Sequence, residues 1–380
     1  MSTGSRPRVV LLRGHQLNSW HLRPWRHLTD RYQVTALRTR SNWFDTGAIG
    51  IETREVRALR DLLPPGRAGQ MLSRIPGDRY LDLVPELTGA EIVHSQDLGF
   101  WYSMQAARHR KRLGYKLVLT VWETIPFLDA YRNVRTRPYR KLALAETDLF
   151  LAATERARMA LLLEGAPEER IRICPPGVDL ELFAMAAAPA SPPAEHLVVS
   201  FGRLVWEKGH QDLLRAVAAL RRGILPGARA PRVLIVGAGP ERGRLARYAG
   251  ELGIDDLVEI RAESPYAEMP SLYARASCLV LGSLQVWSWE EQFGMVLVEA
   301  LAAGLPIAAA ASGAIPEVLR GQGRTFPPGD WPALARLLAE GPLSRPPGER
   351  VSYEPELVEE YSSVAFADRL AAAYADVLAR

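Results

Sequence analysis

Short apolar runs alternate with amphipathic stretches along this chain, and that alternation leaves few folds open. Runs of apolar or β-branched residues that read as strands lie at 9–12, 33–37, 92–94, 117–121, 149–152, 197–201, 233–236, 258–260, 278–281 and 307–310. Helical periodicity separates several of them, as at 212–220 and 241–252. Strands that alternate with helices predict parallel sheets covered by helices. We therefore predict an α/β fold of two doubly wound, Rossmann-like domains with a cleft between them, where ligands bind beyond the carboxyl ends of the strands.

Chain length and composition agree with this organisation. The 380 residues exceed the roughly 250–300 at which single cores stop growing. A content of 48% apolar and 24% charged residues excludes a disordered chain. Residues 185–195 are rich in Ala and Pro and lack periodicity, so they read as a linker between domains at 1–185 and 186–359.

Charge is divided unevenly along the chain. Residues 1–185 hold 28 basic and 20 acidic side chains, whereas the remainder holds 19 and 23. The N-terminal excess is either a solvated surface or a face that meets anionic lipid headgroups or a phosphorylated acceptor. No nucleic-acid-binding motif accompanies it, so nucleic acid is not an expected partner. The most concentrated basic residues are Arg108, Arg110, Lys111, Arg112, Arg132, Arg135, Arg137, Arg140 and Lys141.

Cysteine content and hydropathy predict the compartment. Cys174 and Cys278 form neither a disulfide framework nor a metal-ligand spacing, which is typical of a reducing compartment. The apolar stretch 300–315 contains Gly304, Pro306 and Gly313, so we expect no segment to span a membrane. We expect a cytoplasmic protein, whose basic half is the candidate for peripheral contact at the inner membrane face.

Two cations follow the predicted strand 197–201. Gly202 lets the backbone turn, and Arg203 and Lys208 then lie beyond the carboxyl end of the strand, where α/β sheets bind ligands. An Arg fork and a Lys point charge together suit a diphosphate. The alternative is a surface pair that Glu207 neutralises.

Two carboxylates flank the start of a predicted helix at 294–303. Glu291 precedes this helix, and Glu299 interrupts its otherwise apolar sequence. A buried carboxylate needs hydrogen-bond donors, which a ribose diol would supply, although a buried structural ion pair is the alternative. Backbone amides at a helix N-terminus form a site for anions and hydroxyls. Here they belong to Phe293, Gly294, Met295 and Val296.

A Gly-rich turn at 236–240 follows the predicted strand 233–236. Gly237 could bring backbone close to a ligand, and a tight turn alone would also explain it. The third glycine of a dinucleotide fingerprint is absent, which argues against a Rossmann dehydrogenase.

Together with Pro-Gly-Val-Asp at 176–179, these motifs resemble those of glycosyltransferase family 4, which are retaining transferases of the two-Rossmann GT-B fold. The stretches that carry the resemblance lie within residues 174–320, in the family's order: PPGVDLELF, SFGRLVWEKGHQDLLRA, LIVGAGPERGRL, MPSLYARASCLVLGS, EEQFGMVLVEALAAGLPI and GAIPEVL. The N-terminal half matches in pattern only. The closing segment YSSVAFADRLAAAYADVL resembles the helix that returns to the first domain, so we expect 360–380 to complete that domain.

The resemblance implies a role for each motif residue. The catalytic residues implied are Arg203, Lys208 and Glu291. The donor-binding residues implied are Gly14, Gly202, Gly237, Phe293, Gly294, Met295, Val296 and Glu299. The two cations and the helix N-terminus would stabilise charge on the departing nucleoside diphosphate, while Glu299 would hold the ribose. No D-x-D motif occurs, so we expect no essential divalent metal and no other cofactor.

The first domain departs from the family pattern at its candidate sugar contacts. Family members often carry a His after the strand that is 117–121 here, where this chain has Trp122 and Glu123. Trp122 could stack on a sugar or acceptor ring, and Glu123 could orient an acceptor hydroxyl. His94 is a further candidate, with local hydrogen bonding as the alternative.

The function implied is transfer of a hexose-type sugar, with retention, from a nucleoside-diphosphate donor to a hydroxyl acceptor. UDP-sugars are preferred slightly over GDP-sugars, and the acceptor is lipid-linked, a glycan or a small metabolite. Two alternatives stay open, namely a nucleotide-sugar epimerase of the same architecture and a non-catalytic nucleotide-sugar-binding protein.

Overall fold

The computed structural model describes residues 6–42, 44, 46, 49–63, 77, 79–128, 136–184, 193–225, 229–262 and 264–380. The chain divides into two units, one of Met1–Val178 with Ser362–Arg380 and the other of Asp179–Tyr361. Most of the predicted linker, residues 185–192, lies outside the described residues.

The first unit is built on a sheet of parallel strands in the order β3-β2-β1-β4-β5-β6-β7. Its strands are β1 (Arg8–Leu12), β2 (Gln33–Arg38), β3 (Glu52–Glu55), β4 (Ile92–Gln96), β5 (Lys116–Val121), β6 (Leu149–Ala152) and β7 (Ile171–Ile173). Its helices are α1 (Ser19–Leu22), α2 (Leu83–Leu87), α3 (Trp101–Leu113), α4 (Arg137–Glu146), α5 (Glu155–Leu163) and the C-terminal helix Ser363–Ala379.

Burial on both faces explains why these strands are continuous apolar runs. In β1, Val9 and Leu11 pack into one hydrophobic cluster, whereas Val10 and Leu12 pack into another on the opposite face. Side chains alternate across a strand, so a strand covered on both sides needs apolar residues at every position.

The C-terminal helix belongs to the first unit although the second unit precedes it in the chain. Ser362 caps it, with its side chain accepting a hydrogen bond from the Ala365 N–H at 2.9 Å. Phe366, Leu370 and Tyr374 are buried in the same cluster as Val9 and Leu11. The helix therefore covers one face of the first sheet.

The second unit is built on a sheet of parallel strands in the order β10-β9-β8-β11-β12-β13. Its strands are β8 (Leu197–Phe201), β9 (Arg232–Val236), β10 (Val258–Arg261), β11 (Cys278–Leu281), β12 (Ile307–Ala310) and β13 (Arg324–Phe326). In chain order, its helices are α6 (Leu180–Ala184), α7 (His210–Arg221), α8 (Arg242–Leu252), α9 (Met269–Arg275), α10 (Met295–Ala302), α11 (Ile315–Leu319), α12 (Trp331–Glu340) and α13 (Pro355–Glu360), and α14 is the C-terminal helix of the first unit.

The predicted doubly wound parallel sheets are confirmed, and three strands were missed. These strands, β3, β7 and β13, all lie at sheet edges. All four residues of β3, Glu-Thr-Arg-Glu, are exposed. An edge strand that is not covered on both faces carries no continuous apolar run, so the pattern that identified the central strands is absent.

Candidate active site

The carboxyl ends of β8 and β11 bring two distant segments into contact. Gly209 has a φ of +67°, and a Cβ built there would lie 1.8 Å from the carbonyl oxygen of Gly282. The Leu284 N–H donates to the Glu207 carbonyl at 2.8 Å. Only glycine allows so close an approach of the two backbones, which places the loop after β8 against the loop after β11.

This contact pairs Lys208 with Glu291. Lys208 Nζ lies 2.7 Å from Glu291 Oε2, and the Ser283 hydroxyl donates to the same oxygen at 2.5 Å. The Lys208 ammonium also lies 5.2 Å from the centre of the Trp289 ring. The partner of Lys208 is therefore a carboxylate from β11's loop, and not Glu207 as the surface-pair alternative required.

Glu291 is held ionised although it is only 6% exposed. Burial alone would raise the pKa of this carboxyl, but the Lys208 ammonium, the Ser283 hydroxyl and the Arg203 charge together lower the pKa below its ordinary value. The site therefore contains a fixed carboxylate beside a fixed cation.

Backbone contacts from a third strand end hold Glu291 in place. The Ala314 N–H donates to the Glu291 carbonyl at 2.9 Å. Gly313 has a φ of +54°, and a Cβ there would lie 2.0 Å from the same carbonyl oxygen. The loop after β12 thus fixes the backbone that carries the carboxylate.

Arg203 lies on the exposed side of the loop after β8, and a buried histidine holds its backbone. His210 Nε2 donates to the Arg203 carbonyl at 3.2 Å, which leaves Nδ1 to accept from the Ser200 hydroxyl at 3.0 Å. Burial lowers the pKa of His210 to about 4, so its ring is neutral near pH 7. Sequence reasoning missed His210, although it directly follows the Lys-Gly of the motif.

Gly237 has a packing role that its sequence position did not reveal. A Cβ at Gly237 would lie 1.8 Å from the carbonyl oxygen of Gly202, which itself has a φ of +143°. The turns after β8 and β9 therefore touch through these glycines, and both are required whether or not a ligand approaches them.

The helix N-terminus predicted near residue 294 is present. Gly294, with a φ of +85°, is the N-cap residue of α10 and provides no side-chain cap. The amides of the first turn of a helix lack partners within the helix, so those of Met295 and Val296 are donors for an anion or hydroxyl. The Phe293 side chain is buried and packs edge-on against Tyr361, with ring centres 5.5 Å apart. Only its backbone can serve the site.

Glu299 is buried on α10 and hydrogen-bonded to tyrosine. The Tyr273 hydroxyl lies 2.7 Å from Glu299 Oε2. Burial raises the pKa of Glu299 to about 7, and hydrogen bonds from Tyr273 and Tyr266 limit that increase. Within the described residues Glu299 has no cationic partner, and the buried ion pair of this motif is formed by Glu291 with Lys208.

Sequence reasoning missed the tyrosines and the arginine that supports one of them. Tyr273 lies in α9, whose C-terminal carbonyls are held by Arg350. The Arg350 guanidinium donates to the carbonyls of Tyr273, Ala274 and Ala276 at 2.8–3.0 Å. A basic group at a helix C-terminus satisfies carbonyls that the helix leaves unpaired.

Two predicted contact residues of the first unit, Gly14 and Trp122, are each held by neighbouring side chains. Gly14, with a φ of +57°, donates its N–H to the Tyr80 hydroxyl at 3.0 Å. The Trp122 ring stacks on His21 with centres 5.2 Å apart. The Trp122 N–H is held by the carboxylate of Asp97 at 2.7 Å. Trp122 is therefore fixed by both its ring and its backbone.

His94 is fully buried and cannot present a free ring nitrogen. Its Nδ1 lies 2.6 Å from the Tyr374 hydroxyl, and its Nε2 lies 2.7 Å from the Thr120 hydroxyl. Burial lowers its pKa well below the ordinary value. The local hydrogen-bonding alternative describes His94, and its assignment as a sugar contact is wrong because both nitrogens are occupied inside the core.

Glu123 is tied to a buried arginine. Its Oε2 accepts from Arg140 Nη1 at 2.5 Å, and Arg140 also pairs with Glu164. Burial opposes the charge of Arg140, but the two carboxylates raise its pKa above the ordinary value. An acceptor hydroxyl would have to compete with this ion pair for Glu123.

Tertiary contacts also neutralise part of the basic excess. Arg110 pairs with Asp148 and Glu146, and Lys111 pairs with Glu146 at 2.7 Å. Arg108, Arg112, Arg137 and Lys141 are exposed, whereas Arg132 and Arg135 lie outside the described residues.

Across the part of the chain that the structure describes, no helix has the length and apolar content needed to cross a membrane. In the same residues, no three His, Cys, Asp or Glu side chains are grouped as metal ligands.

The two parallel-sheet, Rossmann-like units have the GT-B fold, and the Lys208–Glu291 pair lies beyond the strands of the second unit. A family model described as Glycosyltransferase Family 4 matches residues 25–182, and one described as Glycosyl transferases group 1 matches residues 184–346. The chain belongs to this family, as its motifs predicted.

Relatives and solved structures agree with this membership. A D-inositol 3-phosphate glycosyltransferase of Nocardia farcinica is 38% identical over 205 residues, which are 50% of this chain and 44% of the relative. A protein of the same name from Mycobacterium bovis is 37% identical over 188 residues, 46% of this chain and 36% of the relative. The matched regions thus span less than half the length of these relatives.

The fold similarity extends over nearly the whole chain. HepE of Anabaena, solved in complex with UDP and glucose, matches with a TM-score of 0.72 and 17% identity over 98% of this chain and 100% of that chain. Sucrose-phosphate synthase of Thermosynechococcus elongatus matches with a TM-score of 0.71 and 20% identity over 98% and 100%. At these identities the similarity establishes the fold.

Proposed function

We propose that this protein is a retaining glycosyltransferase that transfers a hexose-type sugar from a nucleoside-diphosphate donor to a hydroxyl acceptor. The observation that carries the proposal is the Lys208–Glu291–Ser283 cluster beside the N-terminus of α10. One cation neutralises Glu291, and the exposed Arg203 adds a second positive charge. This combination suits an anionic leaving group attached to a hydroxyl-rich sugar.

Each residue has a distinct role in the proposed reaction. The bond between the anomeric carbon and the diphosphate oxygen breaks, and the negative charge that develops on that oxygen is stabilised by Lys208, Arg203 and the first amides of α10. Glu291 accepts hydrogen bonds from sugar hydroxyls. The acceptor oxygen bonds to the anomeric carbon on the same face, and its proton passes to the departing diphosphate oxygen.

The ribose contact is assigned to Glu299. Its carboxylate lies on the same helix whose N-terminus would face the phosphates, and Tyr273 orients one of its oxygens at 2.7 Å. A ribose diol would donate to the ionised carboxyl, which favours loss of its proton. A UDP-sugar is our preferred donor because HepE, which shares the fold, was solved with UDP-glucose. Catalysis by side chains and helix amides would need no divalent metal.

A donor panel tests the proposal. UDP-, GDP- and ADP-sugars are compared by thermal shift, and transfer to a panel of hydroxyl acceptors is followed by NMR of the anomeric proton, with and without EDTA. We expect stabilisation by a UDP-sugar, an axial product from an axial donor, and no effect of EDTA. Lys208→Ala should abolish transfer, whereas Arg336→Ala, an exposed arginine of the same unit, should retain it.

Other outcomes separate the alternatives. Conversion of the donor without any acceptor would identify an epimerase. Donor binding without turnover would identify a binding protein. Absence of stabilisation by every nucleotide sugar would refute the proposal, as would full activity of Lys208→Ala.

A further inference from the structure

A buried arginine of the first unit has no carboxylate partner. Arg13 follows β1 and is only 5% exposed. Its Nη1 donates to the carbonyls of Leu12 at 2.9 Å and His94 at 3.3 Å, and its guanidinium carbon lies 5.6 Å from the centre of the Trp25 ring. Among the described residues no carboxylate lies within ion-pair distance of it, and its hydrogen bonds all come from Nη1.

Among the described residues, the other arginine that is equally buried is paired with carboxylates. Arg140, also 5% exposed, pairs with the carboxylates of Glu123 and Glu164. Arg350, which is partly buried, donates to backbone carbonyls through both terminal nitrogens, whereas its Nε has no hydrogen-bond partner. A buried charge is costly unless it is paired and hydrogen-bonded. Burial accordingly lowers the pKa of Arg13, and the interactions that oppose this come from Tyr102, Tyr374, Asp97 and Tyr80.

Arg13 lines a small cavity together with other polar side chains. The cavity has a volume of about 20 Å³, and it is also lined by His21, Gln96, Thr120 and Trp122. This volume accommodates one water-sized group. It therefore has room for one oxygen of a larger ligand, with the remaining atoms outside.

The hydrogen bonds of Asn18 decide which nitrogen of His21 carries a proton. Asn18 Oδ1 accepts from the His21 backbone N–H at 2.9 Å, so the other amide atom, Nδ2, is the donor to His21 Nδ1 at 3.3 Å. Burial, followed by the charge of Arg13, lowers the pKa of His21 to about 4, so the ring is neutral near pH 7. Nδ1 is then an acceptor, and Nε2 carries the hydrogen.

Gln96 contributes a further donor, and Thr120 contributes a hydroxyl. Gln96 Nε2 donates one hydrogen to the Tyr102 hydroxyl at 2.9 Å and keeps a second. The Thr120 hydroxyl is bonded to His94 Nε2 at 2.7 Å. An unpaired guanidinium, an imidazole N–H and an amide N–H around one oxygen-sized space are complementary to an oxyanion.

We propose that this cavity binds one oxygen of an anionic group, a phosphate monoester or a carboxylate, carried by the acceptor, with Arg13 as its principal partner. This inference rests on the proposed transferase function and specifies the acceptor as anionic. Arg13 is thus a specificity residue, kept unpaired by the protein so that the ligand supplies the missing negative charge.

Binding measured without donor provides the first test. Inorganic phosphate, myo-inositol phosphate and glucuronate are titrated by calorimetry against the wild type, Arg13→Gln, Arg13→Met and the exposed-arginine control Arg108→Gln. We expect an increase in Kd of about tenfold or more for both Arg13 variants and no change for the control, because a charged hydrogen bond is lost. Equal affinity of the wild type and Arg13→Gln for all three anions would overturn the inference.

Stability separates a binding role from a structural one. If Arg13 serves only to hold the Leu12 and His94 carbonyls, Arg13→Met should lower Tm. If it is an unpaired charge reserved for a ligand, Arg13→Met should keep the Tm of the wild type and lose the increase in Tm that the anion produces. A lowered Tm together with an unchanged anion-induced increase would refute the proposal.

Kinetics distinguish this inference from the proposed function. With a working UDP-sugar, Arg13→Gln should raise KM for a phosphorylated acceptor about tenfold and leave KM for a neutral polyol unchanged. If UDP binds and transfer occurs but the two acceptors respond alike, the inference fails and the function stands. If Arg13→Gln weakens UDP binding instead, the oxyanion belongs to the donor, and the assignment to the acceptor is wrong.

Discussion

Removal of the Lys208 ammonium should leave Glu291 as an unpaired charge in the second unit. The side chains of Lys208 and Glu291 are 14% and 8% exposed, so solvent screens this pair little. Loss of one partner of a buried pair costs about 3–5 kcal/mol. Ser283 still donates to Glu291 in the variant Lys208→Met, so we expect the lower end, about 3 kcal/mol near neutral pH.

The pH dependence of this loss follows from the pKa of Glu291. In the wild type the folded pKa is below the ordinary value, so the carboxylate contributes stability above the unfolded pKa of about 4.3 and loses it as pH falls through the folded pKa. Without Lys208, burial becomes the dominant influence and raises the pKa of Glu291. The unfolding free energy of the variant should therefore increase as pH falls from about 8 to 5, because the buried carboxyl becomes neutral.

Urea unfolding monitored by hydrogen exchange of second-unit peptides measures the effect, because it separates that unit from the first. With a slope of about 2 kcal/mol per molar urea, the midpoint should fall by about 1.5 M near pH 8 and by clearly less near pH 5. The double variant Lys208→Met with Glu291→Gln should be more stable than Lys208→Met alone, because it buries no charge. Equal destabilisation at both pH values, or none near pH 8, would refute the argument.

Two further predictions concern single residues of the same unit. Because the folded pKa of Glu299 is raised to about 7, the unfolding free energy should decrease as pH rises from about 5 to 8. Glu299→Gln should flatten that slope and remove the gain in UDP affinity that ionisation gives the wild type; an unchanged slope measured by urea titration would contradict this. Gly209→Ala should cost more than about 2 kcal/mol and abolish transfer, since its Cβ would lie 1.8 Å from a carbonyl oxygen. Gly223→Ala is the matched control, with a φ of +65° and open space at its Cβ, and should cost only about 1 kcal/mol; equal Tm values for the two variants would exclude steric contact as the cause.

The central strands could be predicted because burial on both faces leaves a continuous apolar run. The predicted strands at 149–152, 197–201, 278–281 and 307–310 have the bounds that the structure shows. The edge strands β3, β7 and β13 could not be predicted in this way, because polar residues at exposed positions interrupt any continuous apolar run in them. Pairing with a neighbouring strand, and not apolar sequence, makes them strands.

The sequence indicated the residues of the donor-side motifs but not the contacts that these residues make with distant parts of the chain. Glycines after the strand ends and a helix beginning at residue 294 are local properties, and the sequence indicated them. The partner of Lys208 is 83 positions away, and sequence proximity pointed to Glu207 instead. Three strand ends must meet before Lys208, Ser283 and Glu291 can form a cluster.

The sequence alone therefore establishes the alternation of strands and helices, the two sheets and the residue types of the donor motifs, because these depend on periodicity and on backbone conformation near each residue. Partners and protonation depend on tertiary packing. The sequence made His94 a candidate sugar contact, but in the folded protein its two nitrogens are hydrogen-bonded to Tyr374 and Thr120. The sequence placed Arg140 in a basic cluster, but in the folded protein it is buried and paired with two carboxylates. Arg13 carried no signal in the chain, since an arginine after a strand is ordinary until the folded first unit encloses it without a counter-charge. Hydrogen bonds and desolvation act over a few ångströms, and the fold decides which residues come that close.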